Sequence, residues 1–204
     1  MGTSATETQE LYPPIPEQVP RFGASWSCAI GRFLLRSSGW RVTGEFHNIP
    51  KTVVAAAPHT SNWDFILAMF AVCAMGVKIS YLMKKEAFIW PLRGLFIALG
   101  GVPIDRSAAI DIVDQVADSF QKADKLWLVI TPEGTRAKVD KWKTGFLRIA
   151  HKAGVPVSLV VWDYPNRQIR LETLWPVSEN YEQDAADIRQ YVCERYRGKY
   201  PQNQ

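Results

Sequence analysis

Thr52-Val53-Val54-Ala55-Ala56-Ala57-Pro58-His59-Thr60-Ser61-Asn62-Trp63-Asp64 is the stretch on which the fold of this chain turns. Its first six residues are a short apolar run with paired valines, which predicts a buried strand over 52–57. A polar segment follows, and an apolar helix starts near residue 63 and runs to 75. Downstream, the spacing predicts strands over 78–83 and 102–104, with a helix over 91–99 between them that Gly100-Gly101 ends. An amphipathic helix over 109–123 carries Ile112, Val113, Val116, Phe120 and Ala123 on one face. A strand over 126–130 and a helix over 144–152 closed by Gly154 come next. Strands over 157–162 and 168–171 flank a turn at 163–167, and an amphipathic helix over 182–199 closes the series.

Upstream, residues 40–46 alternate weakly. Residues 25–38 read as a helix with Trp26, Ala29, Ile30, Phe33 and Leu34 on one stripe, Arg32 and Arg36 off it, and Gly39 as the stop. Residues 1–20 carry Pro13, Pro14, Pro16 and Pro20 among polar neighbours and read as a flexible leader, poorly ordered or extended. Strands that alternate with helices give the class: α/β, one domain over 21–204, with a central mixed, mostly parallel sheet flanked by helices and an amphipathic helix at its start.

The 204 residues are 47% hydrophobic and 22% charged, which excludes a mostly disordered chain. The 24 Lys and Arg against 20 Asp and Glu leave a net charge of +4. That excess favours anionic substrates or lipid surfaces and is too small to argue for nucleic acid. Cys28, Cys73 and Cys193 lie far apart with no CxxC pair, against a disulfide framework or zinc site and in favour of a reducing compartment. The longest charge-free apolar run, 65–77, falls short of the ~18 residues that a spanning helix needs, and the polar start does not read as a signal peptide.

Three segments at strand ends carry groups that can do chemistry, where α/β folds place their sites. His59 and Asp64 can form a pair in which the carboxylate fixes the imidazole tautomer and the other nitrogen takes a proton; alternatively, His59 is a turn residue and Asp64 caps the helix. Arg106 follows Gly100-Gly101 and a strand, where a guanidinium can grip a phosphate or pair with an acid. Glu133-Gly134-Thr135-Arg136 offers a carboxylate, a glycine, a hydroxyl and a guanidinium after a strand, or else a polar turn in which Glu133 and Arg136 pair. Lys84 and Lys85 follow a further strand.

In order, His-x4-Asp, Gly-x-x-Ile-x-Arg, Glu-Gly-Thr-Arg and Gly154-Val155-Pro156-Val157 resemble the four blocks of the glycerolipid acyltransferase family, most closely the lysophosphatidic acid acyltransferases. The likeness spans about residues 52–162; Pro103 occupies a slot that varies in the family. It implies transfer of a fatty acyl chain from acyl-CoA or acyl carrier protein to the hydroxyl of a lysophospholipid, with 1-acylglycerol-3-phosphate the expected acceptor. By the same resemblance His59 is the general base, Asp64 its orienting partner and Arg106 the phosphate ligand. Glu133, Gly134, Thr135 and Arg136 shape that pocket, and Lys84 or Lys85 assists the head group. No metal or further cofactor is implied, and the thioester needs none to be activated. Backbone N–H groups at the helix start after His59 are candidate donors to the oxyanion.

Many members of that family carry long hydrophobic N-terminal segments, whereas this chain offers only the helix over 25–38. Its stripe suits a helix lying on an anionic membrane, or equally one packed on the domain. The expected location is the cytoplasmic face of a membrane, held peripherally. Two other readings stand beside this one. One is a metal-dependent phosphoesterase with His59 and Asp64 as ligands, which lacks a second His/Asp cluster. The other is a lipid-binding module without activity.

Overall fold

In the computed structural model, which describes residues 11–22, 25–84, 94, 97, 100–104 and 112–204, the stretch 51–57 is the centre of the molecule. The elements in chain order are α1 (Ser25–Ser37), β1 (Arg41–Gly44), β2 (Lys51–Ala57), α2 (Asn62–Met75), β3 (Ser80–Lys84) and β4 (Gly101–Ile104). They continue with α3 (Ile112–Lys122), β5 (Leu126–Ile130), α4 (Gly145–Ala153), β6 (Val157–Asp163), β7 (Gln168–Trp175) and α5 (Tyr181–Arg195). The seven strands form one sheet in the order β1-β7-β6-β2-β5-β3-β4. Only the β6–β7 pair is antiparallel; the other pairs are parallel.

A strand covered on both faces is apolar along its covered length, and β2 is such a strand from Val53 to Ala57. Val53, Ala55 and Ala57 point into one core, with Phe120 of α3, Phe146 and Leu147 of α4, and Ile188 and Val192 of α5. Val54 and Ala56 point into the other, with Leu35 of α1, Leu67 and Ala71 of α2, Trp127 and Trp162. The sheet therefore lies between α3, α4 and α5 on one side and α1 and α2 on the other. Pro103, which has no N–H to give to a neighbour, sits in the edge strand β4. Because β6, β2, β5, β3 and β4 run the same way, the chain leaves all five at one edge of the sheet.

Three sequence expectations need correction. Within the stretch read as a poorly ordered or extended leader, Leu11 and Val19 are buried in the second core, which counts against the poorly ordered alternative for this part. Lys78 N–H donates to Pro20 O at 2.8 Å and Phe22 N–H to Gly76 O at 3.0 Å, so after a turn at 16–19 this proline-rich chain pairs antiparallel with residues 76–78 just past the end of α2. The last helix stops at Arg195, not 199: Tyr196 is extended, its hydroxyl is drawn to Glu172 at 2.5 Å, and the chain turns back over the sheet edge. β7 runs on to Trp175, beyond 171, because β6 gives it a partner that far. The helix read over 91–99 and the first turn of the helix read from 109 fall largely outside the described residues, as do residues 1–10.

α1 settles on α2 through its smallest residue. A Cβ on Gly31 would stand 2.3 Å from Ala74 N and 2.7 Å from Cys73 Cβ, so the helices cross at backbone contact. Gly31 and Leu35 face inward, and the apolar stripe faces out: Trp26 is 70% exposed, Ile30 52% and Phe33 69%. No helix among the described residues is long and apolar enough to cross a membrane.

Candidate active site

The loop from β2 to α2 is built around one carboxylate. Ser61 is the N-cap of α2, its hydroxyl accepts from Trp63 N–H, and Asp64 at the third helical position accepts from Ser61 N–H at 2.9 Å. This reciprocal cap satisfies backbone donors that a helix start otherwise leaves open. The same Asp64 Oδ2 accepts from Thr60 N–H at 2.8 Å and meets His59 Nδ1 at 3.1 Å. Asp64 is fully buried, so the capping and pairing alternatives left open by the sequence are both realised by one group.

A carboxylate only accepts, so Nδ1 of His59 carries the proton and Nε2 is the lone-pair nitrogen. Among the described residues nothing hydrogen-bonds to Nε2. His59 lines a cleft of about 700 Å³, within the range of small-molecule sites. Asn62 and Arg136 stand with it in the wall, and Ile66, Met69, Ile79 and Leu82 make the cleft largely apolar.

Glu133 comes from the loop after β5. Its Oε1 accepts the backbone N–H of His59 at 2.9 Å, and Oε2 is buried without a partner among the described residues. Burial pushes its carboxyl above the ordinary range, against the hydrogen bond from His59 that acts the other way. Glu133 and Arg136 therefore do not pair with each other; the Arg136 guanidinium donates to Asn62 Oδ1 across the cleft mouth. Gly134 turns the loop with φ 64°, and a Cβ there would crowd Lys143. Thr135 is exposed, and its hydroxyl accepts from Ala137 N–H within its own loop.

The structure thus brings His59, Asp64, Glu133 and Arg136 together from two strand ends. Arg106, Lys85 and the side chain of Lys84 lie outside the described residues. His47 and His151 are engaged elsewhere, with Glu172 O and the Tyr181 ring. The oxyanion donors expected at the helix start are mostly spent: His59 N–H on Glu133, Thr60 and Ser61 N–H on Asp64, Trp63 N–H on the Ser61 hydroxyl and Asp64 N–H on Ser61 O. In the run 59–64, Asn62 N–H alone has no partner among the described residues.

Two contributors escaped the sequence reading. Tyr164, in what reads as an ordinary turn, donates its hydroxyl to Asp64 Oδ1 at 2.6 Å. Burial and the neighbouring Asp64 hold its phenol far above the ordinary tyrosine range. The C-terminal residues brace the loop from outside, Tyr200 N–H donating to Thr60 Oγ1 at 3.2 Å. Neither leaves a sequence signal, since a tyrosine in a turn and a polar tail are common.

The sequence model of the Acyltransferase family matches residues 40–162, which includes His59, Asp64, Glu133 and Arg136 and stops before Tyr164 and the C-terminal tail. A search of curated proteins returns no significant match. Among solved structures the chain is similar to the 1-acyl-sn-glycerophosphate (LPA) acyltransferase PlsC from Thermotoga maritima, with a TM-score of 0.56 and 20% identity over 82% of this chain and 75% of that one. At that identity the likeness speaks for the fold alone.

Proposed function

The chain belongs to the acyltransferase family, and from that premise we propose that it transfers a fatty acyl chain from a thioester, acyl-CoA or acyl carrier protein, to the hydroxyl of a lysophospholipid, with 1-acylglycerol-3-phosphate the first acceptor to test. The observation that carries this reading is the His59–Asp64 contact at 3.1 Å with Nε2 left for an apolar cleft. An acyl chain needs such a cleft, and a hydroxyl needs such a base.

As the acceptor oxygen attacks the thioester carbon, His59 Nε2 takes its proton, a contribution of roughly 10²–10⁴-fold. The buried Asp64 carries the charge that balances the imidazolium. The tetrahedral oxyanion would take Asn62 N–H as donor, with the Arg136 guanidinium nearby at the mouth. Collapse expels the thiolate, which takes the proton from Nε2, and the ester and free thiol leave. Glu133 fixes the backbone of His59. Arg136 meets the acceptor phosphate, and Arg106 serves the same end on the strength of the family motif.

Both substrates are amphiphiles, so the enzyme meets them at a bilayer, held there peripherally on the cytoplasmic face. Trp26, Ile30 and Phe33 on α1 and Trp63 and Phe65 on α2 are all at least half exposed, on two helices packed against each other. Phe65 also lines the cleft, so lipid contact and substrate entry would share one side. The deciding test incubates the full chain with acyl-CoAs of several lengths and a panel of lysophospholipids, reading released thiol and new ester by mass spectrometry. Transfer that survives EDTA and disappears in His59→Ala is expected; thiol release without ester, or equal rates in His59→Ala, overturns the reading.

A further inference from the structure

Three donors meet one oxygen of Asp64: Thr60 N–H, Ser61 N–H and His59 Nδ1 all reach Oδ2. The terminal torsion of an aspartate is soft, so these contacts alone leave the plane of the carboxylate weakly defined. Oδ1 has one partner among the described residues, the Tyr164 hydroxyl at 2.6 Å. That phenol is itself held from three directions. Its ring meets Trp40 edge-on, with centroids 4.8 Å apart and planes at 77°. Its backbone N–H donates to Arg197 O at 3.1 Å. The strand β6 delivers it to the same sheet edge as β2.

We propose that Tyr164 is a positioning residue of the His59–Asp64 pair: its hydroxyl anchors Asp64 Oδ1 and so fixes the carboxylate plane that presents Oδ2 to His59. It touches no reacting atom, and its effect reaches the substrate through Asp64 and His59. The role rests on the acyl-transfer reading above. A purely structural tyrosine would be secured by its ring, which phenylalanine retains; what phenylalanine lacks is the one bond to the fully buried Asp64.

The test is a double-mutant cycle on the full chain, with wild type, Tyr164→Phe, Asp64→Asn and both together, followed by thiol release and ester formation. A hydrogen bond to a charged group sets the scale. Tyr164→Phe is expected to lower kcat about five- to fiftyfold and to leave the acceptor KM within about twofold. In the Asp64→Asn background the same change should lower kcat by less than about twofold, because contacting residues couple. A kcat within twofold of wild type, or an equal loss in both backgrounds, overturns the proposal. Should Tyr164→Phe not fold, a fluorotyrosine at position 164 keeps ring and hydroxyl and changes only the strength of the hydrogen bond. The downfield Nδ1–H proton resonance of His59 must then shift, and an unmoved resonance overturns the proposal. That resonance also separates the two failures: if wild type and His59→Ala show the same background rate, the acyl-transfer reading falls, and the resonance still tests whether Tyr164 positions the pair.

Discussion

Asp64→Asn isolates the charge of the buried carboxylate from its shape. Asparagine can set its amide oxygen where Oδ2 stands and keep the donors from Thr60, Ser61 and His59. Its amide nitrogen then faces the Tyr164 hydroxyl, which rotates to accept instead of donate. The number of hydrogen bonds is conserved and their charge assistance is lost. A charge-assisted bond is worth roughly twice a neutral one of about 1 kcal/mol, so the four donors, Tyr164 included, set an upper bound of about 4 kcal/mol. Relief of the buried charge offsets part of that, leaving a net loss of about 1–2 kcal/mol. For a domain of this size that lowers Tm by about 2–8 °C. Catalysis suffers far more, because the imidazolium formed at His59 loses the one buried anion that, among the described residues, is hydrogen-bonded to its ring. We expect kcat to fall by about 10²–10⁴ with the acceptor KM within about threefold. Initial rates of thiol release at saturating acyl donor, with the acceptor varied, give both constants, and thermal unfolding verifies the fold. A folded variant that retains more than about a tenth of wild-type kcat, or one that changes only KM, refutes the orienting role.

Glu133→Gln keeps an acceptor for the His59 N–H and removes a carboxyl whose folded value is raised by burial. Such a group favours the folded state fully below its ordinary range and loses that contribution as pH rises, so the variant should gain in Tm on wild type as pH rises above the ordinary carboxyl range of about 4, and a gap that does not vary with pH refutes this. Glu172 has the opposite sign: burial would raise it, but hydrogen bonds from Tyr196, Tyr191 and Arg170 hold it below the ordinary range. Glu172→Gln should therefore cost stability at neutral pH and nothing in acid below the wild-type carboxyl's titration, as pH-dependent unfolding curves will show. Gly31→Ala places a methyl against the α2 backbone and should cost about 1–3 kcal/mol, measured by denaturant unfolding; an unchanged midpoint would mean that α1 does not sit where Gly31 places it. Trp26→Ser with Phe33→Ser removes two rings worth roughly 1–2 kcal/mol each at a lipid surface and should weaken co-sedimentation with anionic vesicles at least tenfold. Turnover of a short-chain monomeric substrate should stay unchanged in that variant, and equal vesicle binding would refute the membrane contact.

What the sequence disclosed follows from burial. The central strands of a parallel sheet are covered on both faces, so Thr52–Ala57, Leu126–Ile130 and Val157–Trp162 must be apolar runs and read as such. His59, Asp64, Glu133 and Arg136 stood out as candidates because they fall just past strand ends and because their order resembles the acyltransferase blocks. The stripe on α1 was legible as well, but periodicity states only that two faces differ. It was the crossing at Gly31 that turned the stripe outward.

By itself, then, the sequence determined the elements, their order and the candidate His59–Asp64 pair, all products of local pattern and short spacing. Only the tertiary structure decided that Asp64 caps a helix and holds an imidazole at once, that Glu133 turns to His59 instead of Arg136, and that most backbone donors near His59 are already spent. Tyr164 reaches Asp64 across a sequence separation of 100 residues, and Glu133 reaches His59 across 74. The order of the strands sets those meetings by laying β5 and β6 on either side of β2, with β5 ending opposite Ala55 and β6 running two residues past Val161, the partner of Ala57. Hydrogen bonds then settle which partner each buried polar group takes, because an unpaired one is costly away from water.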